Sequence, residues 1–278
     1  MKPLYAIGDL HGNIDAFRQI ARELGIADEN MDWKAPGIDL VQIGDICDRG
    51  TDSRSIYETF MKWQAQAEQY DSSVYVLLGN HEVMNMCGHH DYATEQERDG
   101  FVDHPRAFAR NGWLHRWLVQ QHAMLQIRDL VFCHADLPPS LVQSTVPEID
   151  GSVLQAIEET APHAGERVKV HHPLLFSEDE SPLWSRVSSR RRLASYAEDL
   201  QRFLARHNAQ AYICGHTPDE RGRFTVKWSG SYVCIDTGMA FENYGMGGRS
   251  ALLFEAGELH AIYFRDGKQV RARIRSLS

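Results

Sequence analysis

The chain has 278 residues, of which 43% are hydrophobic and 24% charged, and its formal net charge is −9 at pH 7. This length and balance indicate a globular protein with a sizeable core and exclude a disordered or low-complexity chain. The net acidity argues against non-specific nucleic-acid binding, because no broad basic field would gather phosphates. It does not exclude phosphate chemistry, since bound metal ions can dominate the charge of a site.

The cysteines and the hydropathy of the chain indicate the cellular compartment in which we expect the protein. The five cysteines are scattered and form no CxxC pair, which favours a reducing environment. No stretch approaches the length of a membrane span, and the N-terminus lacks the apolar region of a signal peptide. We therefore expect a cytoplasmic protein with neither a membrane nor a nucleic-acid partner.

The first part of the chain alternates between short apolar runs and helical patterns. Strands are predicted over Leu4–Ile7, Leu40–Ile43 and Val74–Leu78, because each apolar run is short and is followed closely by glycine. Helices are predicted over Ile14–Leu24 and Ser53–Tyr70, where apolar residues recur at roughly helical spacing. This alternation predicts an α/β sheet with functional residues at the carboxyl ends of its strands.

The second part is predicted to contain more strands. A hairpin around residues 128–129, a helix over 193–207 and a strand over 211–214 are followed by four strands that we expect to be consecutive and antiparallel. The hairpin strands are Ala123–Ile127 and Leu130–Cys133, and the later strands are Phe224–Trp228, Tyr232–Ile235, Ala251–Phe254 and Leu259–Phe264. The arginine run 190–192 is expected to be a solvated helix start.

These elements together predict a mixed α/β fold of two packed, mixed β-sheets flanked by helices. We expect one domain over residues 1–278. Within it, the segment 138–182 is expected to form loops and short helices that cap the active site, where substrate selection would occur.

Metal-capable side chains follow five of the predicted strands. They are Asp9 with His11, then Asp45, Asn80, His134 and His216. Carboxylate, amide and imidazole ligands suit divalent manganese, iron or zinc, and the lack of thiolate ligands disfavours a structural zinc site. Each residue alone could be an ordinary turn, cap or buried histidine. Their recurrence at strand ends is what points to a metal site.

Four short blocks carry these residues, and with them the chain resembles a known family. The blocks are GDLHG at 8–12, GDICDRG at 44–50, GNHE at 79–82 and GHT at 215–217. They resemble the phosphoprotein phosphatases within the metallophosphoesterases. Segments 79–92, 182–186 and 235–239 are most like the bacterial Shewanella-like branch of that family. The resemblance spans residues 9–238 and implies a calcineurin-like metallophosphoesterase fold.

One block departs from the family pattern. Where the family usually has His-Gly-Gly or His-Ala-Gly, this chain has His134-Ala135-Asp136, so a carboxylate replaces glycine two residues after a candidate ligand. This substitution bears on the local backbone and on the charge of the substrate site. The run 134–139 is also similar to diadenosine tetraphosphate hydrolases, a sister group with a related metal site.

The resemblance implies two divalent metal ions, with manganese favoured and iron or zinc as alternatives. The implied ligands of the first metal are Asp9, His11 and Asp45, and those of the second are the bridging Asp45, Asn80, His134 and His216. A hydroxide that bridges the metals would attack the phosphorus directly, because paired metals activate water and clamp the attacking and leaving oxygens.

The resemblance also implies a proton donor and phosphate-binding groups. His81 is the implied general acid, and Asp48 would orient it and favour its imidazolium form. The implied phosphate-binding side chains are Arg49, Arg186 and Asn80, of which the guanidinium groups offer a two-pronged donor set. For Arg186 the ordinary alternative is a solvated surface arginine.

Three functions are compatible with this sequence. The first is a phosphoprotein phosphatase whose partner is a protein phosphorylated on serine, threonine or tyrosine, or a small phosphoester. The second is a dinucleoside polyphosphate hydrolase that uses the same site, for which the run 134–139 leaves room. The third is an inactive phosphoprotein-binding module. The complete ligand set argues against that module. So does the presence of both His81 and Asp48, because a protein that only binds phosphate has no need of a proton donor and its partner.

Overall fold

A computed structural model describes residues 2–163, 166, 172–189, 193–219, 221–244, 247–265 and 267–277. The arginine run 190–192 lies outside the described residues. The strands are β1 (Leu4–Ile7), β2 (Asp39–Gln42), β3 (Ser73–Val76), β4 (Met124–Ile127), β5 (Leu130–Cys133), β6 (Ala211–Cys214), β7 (Thr225–Lys227), β8 (Tyr232–Cys234), β9 (Arg249–Glu255), β10 (Glu258–Arg265) and β11 (Lys268–Ser276). The α-helices are α1 (Ile14–Glu23), α2 (Ser53–Ala67), α3 (Asn80–Met86), α4 (Glu95–Gly100), α5 (His104–Phe108), α6 (Trp113–Leu118), α7 (Val146–Thr160), α8 (Pro173–Phe176) and α9 (Leu193–Arg206).

Two mixed sheets form the centre of the fold. One has the strand order β11-β10-β9-β1-β2-β3 and the other the order β4-β5-β6-β8-β7. Strands β1, β2 and β3 run parallel, as do β5, β6 and β8. Each sheet therefore brings the carboxyl ends of three neighbouring strands to one edge, which is where polar ligands collect in sheets of this kind.

The two sheets pack face to face, and helices cover their outer faces. Leu4 and Ala6 of β1 share an apolar cluster with Phe132 of β5 and Ile213 of β6, so this cluster fills the space between the sheets. The intervening residues of the same strands face outward, as Ile7 does beside α1 and α2. Strands buried on both faces have continuous apolar sequences rather than alternating ones. The predicted two-sheet α/β fold is confirmed.

Polar side chains fix where the first two helices begin. Oδ1 of Asn13 accepts the backbone N–H of Ala16 at the start of α1, and Oδ1 of Asp52 does the same for Ser55 at the start of α2. Such caps satisfy amide groups that have no partner within the helix. Both caps lie in the loops that follow candidate ligands, so these loops are anchored close to the site.

Three details of the predicted elements were wrong. The last four predicted strands are not consecutive neighbours, because β7 and β8 belong to one sheet while β9 and β10 belong to the other. β11 was not predicted at all, although it pairs with β10 along eight positions. Within the segment 138–182, α7 is 15 residues long rather than short.

Among the described residues, no helix combines the length and apolarity that crossing a membrane requires.

Candidate metal centre and active site

The candidate ligands lie at the carboxyl ends of the parallel strands of both sheets. Asp9 and His11 follow β1, Asp45 follows β2, and Asn80 begins α3 after β3. His134 follows β5 and His216 follows β6 in the second sheet. All six side chains are buried, and none is more than 5% exposed. The fold thus brings together every metal ligand that the sequence predicted.

Asp45 lies between two groups of potential ligands. Its Oδ2 atom is 3.5 Å from Nε2 of His11 and 3.4 Å from Nε2 of His134. Ligand atoms of His11, Asp45 and His81 lie within 4.8 Å of one another, and so do those of Asp45, His134 and His216. Oδ1 of Asp45 accepts the backbone N–H of His81. Oδ2 is therefore the oxygen that both groups share.

Backbone carbonyl groups orient the three candidate histidine ligands. The Nδ1–H groups of His11 and His134 donate to the carbonyl oxygens of Cys47 and Ile43, each over 2.9 Å. Nε2–H of His216 donates to the carbonyl of Trp184 over 3.1 Å. Each ring keeps its other nitrogen for the site. Metal-ligating histidines are held in this way, with one nitrogen fixed and the other at the metal.

Burial favours the neutral form that a histidine ligand needs. It lowers the pKa of His11 to about 3, and burial together with the neighbouring His134 lowers the pKa of His216 well below its usual value. Burial acts in the same direction on His134, but the carboxylate of Asp45 outweighs it and raises the pKa of this ring overall. His134 thus sits where positive charge is stabilised, whether a proton or a metal ion supplies it.

Three buried carboxyl groups, those of Asp9, Asp45 and Asp236, lie close together in the site. Burial, with the charges of Asp236 and Asp45, raises the pKa of Asp9 well above its usual value, and burial raises that of Asp236 to about 6. Burial would raise the pKa of Asp45 too, but His134 and His81 hold it well below its usual value. Such crowding is costly unless positive charge is added.

The unsatisfied atoms in this region also fit a bound cation. Oδ1 of Asp9 is buried and has no hydrogen-bond partner among the described residues. Nε2 of His134 lies 3.0 Å from Oδ1 of Asn80. When the ring is neutral its proton is on Nδ1, which donates to Ile43, so Nε2 and Oδ1 then face each other as two acceptors. A buried acceptor without a partner is rare unless an ion or water satisfies it. These residues therefore fit divalent metal ions bound by oxygen and nitrogen.

Glycines let the ligand loops approach one another. A Cβ atom built on Gly79 would lie 2.1 Å from Oδ1 of Asp45, and one built on Gly215 would lie 2.2 Å from Oδ1 of Asp9. Gly44 has a φ of 94°, and a Cβ there would lie 2.5 Å from the backbone nitrogen of Gly79. Side chains at these positions would displace the ligands.

The backbone is also left-handed at several site residues, as is common at functional sites. These residues are His11, Asp45, Asp48, Arg49 and His216.

Glu82 supports the loop that carries Asp45. Its carboxylate accepts the backbone N–H groups of Gly79, Asp45 and Ile46, each over 2.8 Å, and the hydroxyl of Tyr57 over 2.6 Å. It is also the third residue of α3, where a carboxylate opposes the helix dipole. Glu82 therefore both anchors the loop that carries Asp45 and stabilises the start of α3.

His81 and Asp48 form a buried pair beside the shared oxygen. Nδ1–H of His81 donates to Oδ2 of Asp48 over 2.6 Å, and Nε2 of the same ring lies 4.0 Å from Oδ2 of Asp45. Asn85 donates from Nδ2 to both carboxylate oxygens of Asp48, each over 3.1 Å, and to the carbonyl of His81. The backbone N–H of Asp48 donates to Glu97. The ring is therefore fixed with Nε2 facing the site.

Both predicted arginines form hydrogen bonds to residues of the site. Arg49 donates from Nη1 to Nε2 of His11 over 3.2 Å and from Nη2 to Nε2 of His81 over 3.0 Å. Arg186 donates from Nη2 to the carbonyl of His216 over 3.3 Å. Arg186 is only partly exposed, so it is not the freely solvated arginine of the alternative interpretation.

Several site residues were not assigned a role from the sequence. Asn85 holds the His81–Asp48 pair, Asp236 lies among the carboxyl groups near Asp9, and Glu97 fixes the backbone of Asp48. Asp236 follows β8, so the strand-end pattern could have found it. Asn85 lies in the segment 79–92 that carries the family resemblance, but Asn85 and Glu97 both lie within helices, so the strand-end pattern could not assign them a role.

The profile of the calcineurin-like phosphoesterase family matches residues 2–220. This chain belongs to that family. Calcineurin-like phosphoesterases are hydrolases with dinuclear metal centres, and this chain has two groups of candidate metal-binding residues that share Asp45. The predicted family and enzyme class are thereby confirmed.

Individual relatives of this calcineurin-like phosphoesterase agree with that placement. The chain is 28% identical to Shewanella-like protein phosphatase 1 of Plasmodium berghei over 254 residues, which cover 87% of this chain and 68% of the relative. It is 27% identical to a symmetrical bis(5'-nucleosyl)-tetraphosphatase of Delftia acidovorans over 154 residues, or 54% of this chain and 50% of that one.

A solved structure shows the same fold. The cold-active protein-tyrosine phosphatase of a psychrophilic Shewanella species superposes with a TM-score of 0.83 over 99% of this chain and 81% of that protein. The two sequences are 20% identical. The resemblance to the Shewanella-like phosphoprotein phosphatases is confirmed by these matches together.

Proposed function

We propose that this calcineurin-like phosphoesterase is a metal-dependent phosphoprotein phosphatase that hydrolyses phosphoserine, phosphothreonine or phosphotyrosine monoesters by direct attack of water. The observation that carries the proposal is the position of Oδ2 of Asp45, between His11 at 3.5 Å and His134 at 3.4 Å, with Nε2 of His81 only 4.0 Å away. A shared carboxylate beside an oriented proton donor is the arrangement that two-metal ester hydrolysis needs.

Each candidate ligand would hold one of two divalent ions or both. In this proposal Asp9, His11 and Asp45 bind the first ion. Asp45, Asn80, His134 and His216 bind the second ion. The mixture of oxygen and nitrogen donors suits manganese, and iron or zinc would also be accepted. When bound, the ions would activate the attacking water and neutralise charge on the phosphate.

The remaining side chains would bind the phosphate and move a proton. Arg49 and Arg186 would donate to the phosphate oxygens, with the amide of Asn80 beside them. Their guanidinium groups are matched to such oxygens in geometry and charge. Nε2 of His81 accepts from Arg49 in this structure. With Arg49 turned to the phosphate, Nε2 would carry the proton that goes to the leaving oxygen, while Asp48 keeps Nδ1 protonated and the ring in place.

The match to a Shewanella-like protein phosphatase supports a protein substrate, because it extends over 87% of this chain. The alternative is hydrolysis of dinucleoside polyphosphates on the same site. It is supported by the 27% identity to a bis(5'-nucleosyl)-tetraphosphatase, which extends over 54% of the chain. We favour the phosphatase because its match is the longer one.

Three further expectations belong to this proposal. The chain would form one domain over residues 1–278, and the segment 138–182 would cap the site, with residues just beyond its end supplying Trp184 and Arg186. The five cysteines are free and buried, which suits a cytoplasmic location.

A substrate panel tests the function directly. The manganese-loaded protein is assayed for phosphate release from serine, threonine and tyrosine phosphopeptides beside diadenosine tetraphosphate. We expect release from phosphopeptides, its loss after verified metal removal by a chelator, and its return with manganese. Hydrolysis of the dinucleotide alone would establish the alternative. Undiminished phosphopeptide hydrolysis by metal-free protein would rule out the metal-dependent mechanism.

A further inference from the structure

The carboxylate that departs from the family pattern, Asp136, lies at the centre of a buried hydrogen-bond cluster. The residue is only 2% exposed. Oδ1 accepts the hydroxyl of Tyr232 and Oδ2 accepts the backbone N–H of Ser188, each over 2.6 Å. The hydroxyl of Ser188 also lies 2.9 Å from that of Tyr232. Both oxygens of the carboxylate are thus engaged by neutral donors.

Asp136 forms hydrogen bonds to the chain on both sides of Arg186. Its backbone N–H donates to the carbonyl of Ser185 over 3.2 Å, while its side chain accepts from Ser188. The neighbouring backbone N–H of Ala135 donates to the carbonyl of Pro182 over 3.0 Å. The segment before and after Arg186 is therefore tied to the end of β5, close to the candidate ligand that follows this strand.

Lys227, the last residue of β7, contacts the same segment. Nζ of Lys227 donates to the carbonyl of Ser188 over 2.5 Å and lies 5.4 Å from the ring centre of Tyr232. Lys227 precedes the turn into β8, which carries Tyr232. The cluster therefore links β5 and β8 to the short 3-10 turn that follows Arg186. A glycine at position 136 could make none of the side-chain bonds.

We propose that Asp136 is a positioning residue that fixes Arg186 for phosphate binding. This inference rests on the proposed function, because it assumes that Arg186 contacts the substrate phosphate. A guanidinium binds phosphate well only when its donors are held at the right distance and angle. The backbone of residues 185–188 sets that geometry, and Asp136 holds this backbone at two points.

The test is a double-mutant cycle on phosphate binding. Inorganic phosphate is titrated into the manganese-loaded protein by calorimetry, and KM and kcat for p-nitrophenyl phosphate are measured beside it. Asp136→Ala should weaken phosphate binding by about 10-fold, as expected for one lost charge-assisted hydrogen bond. In an Arg186→Ala background the same change should have less than about a 2-fold effect, because the residue acts through Arg186.

Further variants separate positioning from general stability. Asp136→Asn keeps an oxygen that can accept from Ser188, so it should retain most of the binding. Asp136→Gly, which introduces the residue usual in the family pattern, replaces the alanine variant in the cycle if that variant does not fold. Asp28→Ala is the matched control. Asp28 also accepts backbone N–H groups, from Asn30 and Asp32, but lies in the loop after α1 and contacts none of the site residues described above. It should leave phosphate binding unchanged.

The outcomes separate this inference from the proposed function. Additive effects of Asp136→Ala and Arg186→Ala on phosphate binding would overturn the positioning role, as would wild-type protein that binds no phosphate. Non-additive effects support it. If coupling is found but no phosphopeptide is hydrolysed, Asp136 still positions Arg186 and the proposed substrate is wrong.

Discussion

Nδ1 of His81 lies 2.6 Å from Oδ2 of Asp48, in a pair of side chains that are 3% and 0% exposed. This bond leaves one ring nitrogen, Nε2, to face the shared oxygen of Asp45. Asn85 donates to both oxygens of Asp48, so the carboxylate cannot rotate freely. A ring held in this way can deliver a proton along one direction only, and that direction can be tested by changing the leaving group.

Replacing His81 by Asn should lower kcat on phosphoserine peptides by about 10²–10⁴-fold while metal content stays near normal, because a positioned proton donor contributes that much. The defect should be small on p-nitrophenyl phosphate, since nitrophenolate leaves readily without a proton. Steady-state kinetics on both substrates, with metal analysis of the same samples, provide the measurement. Loss of metal, or equal slowing on the two substrates, would show that His81 is a ligand or scaffold residue.

Asp48→Asn should reproduce the leaving-group dependence of the His81 variant more mildly. Asp48 touches the ring rather than the substrate, so its removal should weaken proton delivery without abolishing it. The double variant should be little worse than His81→Asn alone, because the two residues act as one unit. Additive losses in kcat would contradict a shared role.

Asp45→Asn should be among the most damaging single changes, because the shared Oδ2 atom faces both ligand groups. An amide in that place cannot supply the charge that both ions need. We expect fewer than two manganese ions per chain by elemental analysis and a smaller rise in Tm on adding manganese, since ligands that bind only the native state stabilise it. Two bound ions and near-normal turnover would be incompatible with Asp45 as the bridge.

The strand ends of this site could be predicted because the local sequence carries the signal. An apolar run followed by Gly-Asp or Gly-Asn places one metal-capable residue, and parallel strands bring several such residues to one edge. The role of Asn85 could not be predicted in this way. Asn85 acts only because α3 is buried against Asp48, and a contact of this kind depends on tertiary packing rather than on spacing.

β11 escaped prediction for a different physical reason. It lies at the edge of its sheet and most of its residues are exposed. Val270, Ala272 and Ile274 do alternate with arginines, but so short and so highly charged a run resembles a solvated tail as much as a strand. Arg271 and Arg273 belong to this strand, and charged residues of this kind protect an edge from pairing with other chains. The antiparallel order of the last strands failed because the chain changes sheet between β8 and β9, which hydrophobic patterns do not record.

Gly79→Ala should disrupt the metal site without an unfavourable backbone angle, since φ at Gly79 is −96° and alanine can adopt it. The added Cβ would lie 2.1 Å from Oδ1 of Asp45, so this side chain must move. We expect loss of bound manganese and a fall in kcat of about 10²-fold, in line with the cost of a misplaced catalytic group. Metal content and kcat are measured together.

Gly151→Ala is the matched control for that prediction. Gly151 lies within α7, and a Cβ there would meet nothing within 4 Å. Alanine should therefore raise the free energy of unfolding by about 0.5–1 kcal/mol and leave kcat unchanged. If Gly79→Ala kept two metals and wild-type turnover, close packing of these loops would not be what positions Asp45.

The carboxyl group of Glu97 should make stability depend on pH. Burial, with the nearby Asp48, raises its pKa from 4.5 to about 7 in the folded protein. The native state therefore binds this proton more tightly than the unfolded state does. As a result, the Glu97 contribution to the free energy of unfolding should fall as pH rises from about 4.5 to about 7, by on the order of 1–3 kcal/mol.

Denaturant unfolding at pH 5 and pH 7.5 measures this change in the free energy of unfolding. Glu97→Gln cannot titrate but can still accept from the backbone of Asp48, so its unfolding free energy should lack this component, whereas Glu95→Gln, on the exposed side of the same helix, should keep it. A pH dependence identical in wild type and Glu97→Gln would mean that Glu97 stays ionised in the folded protein.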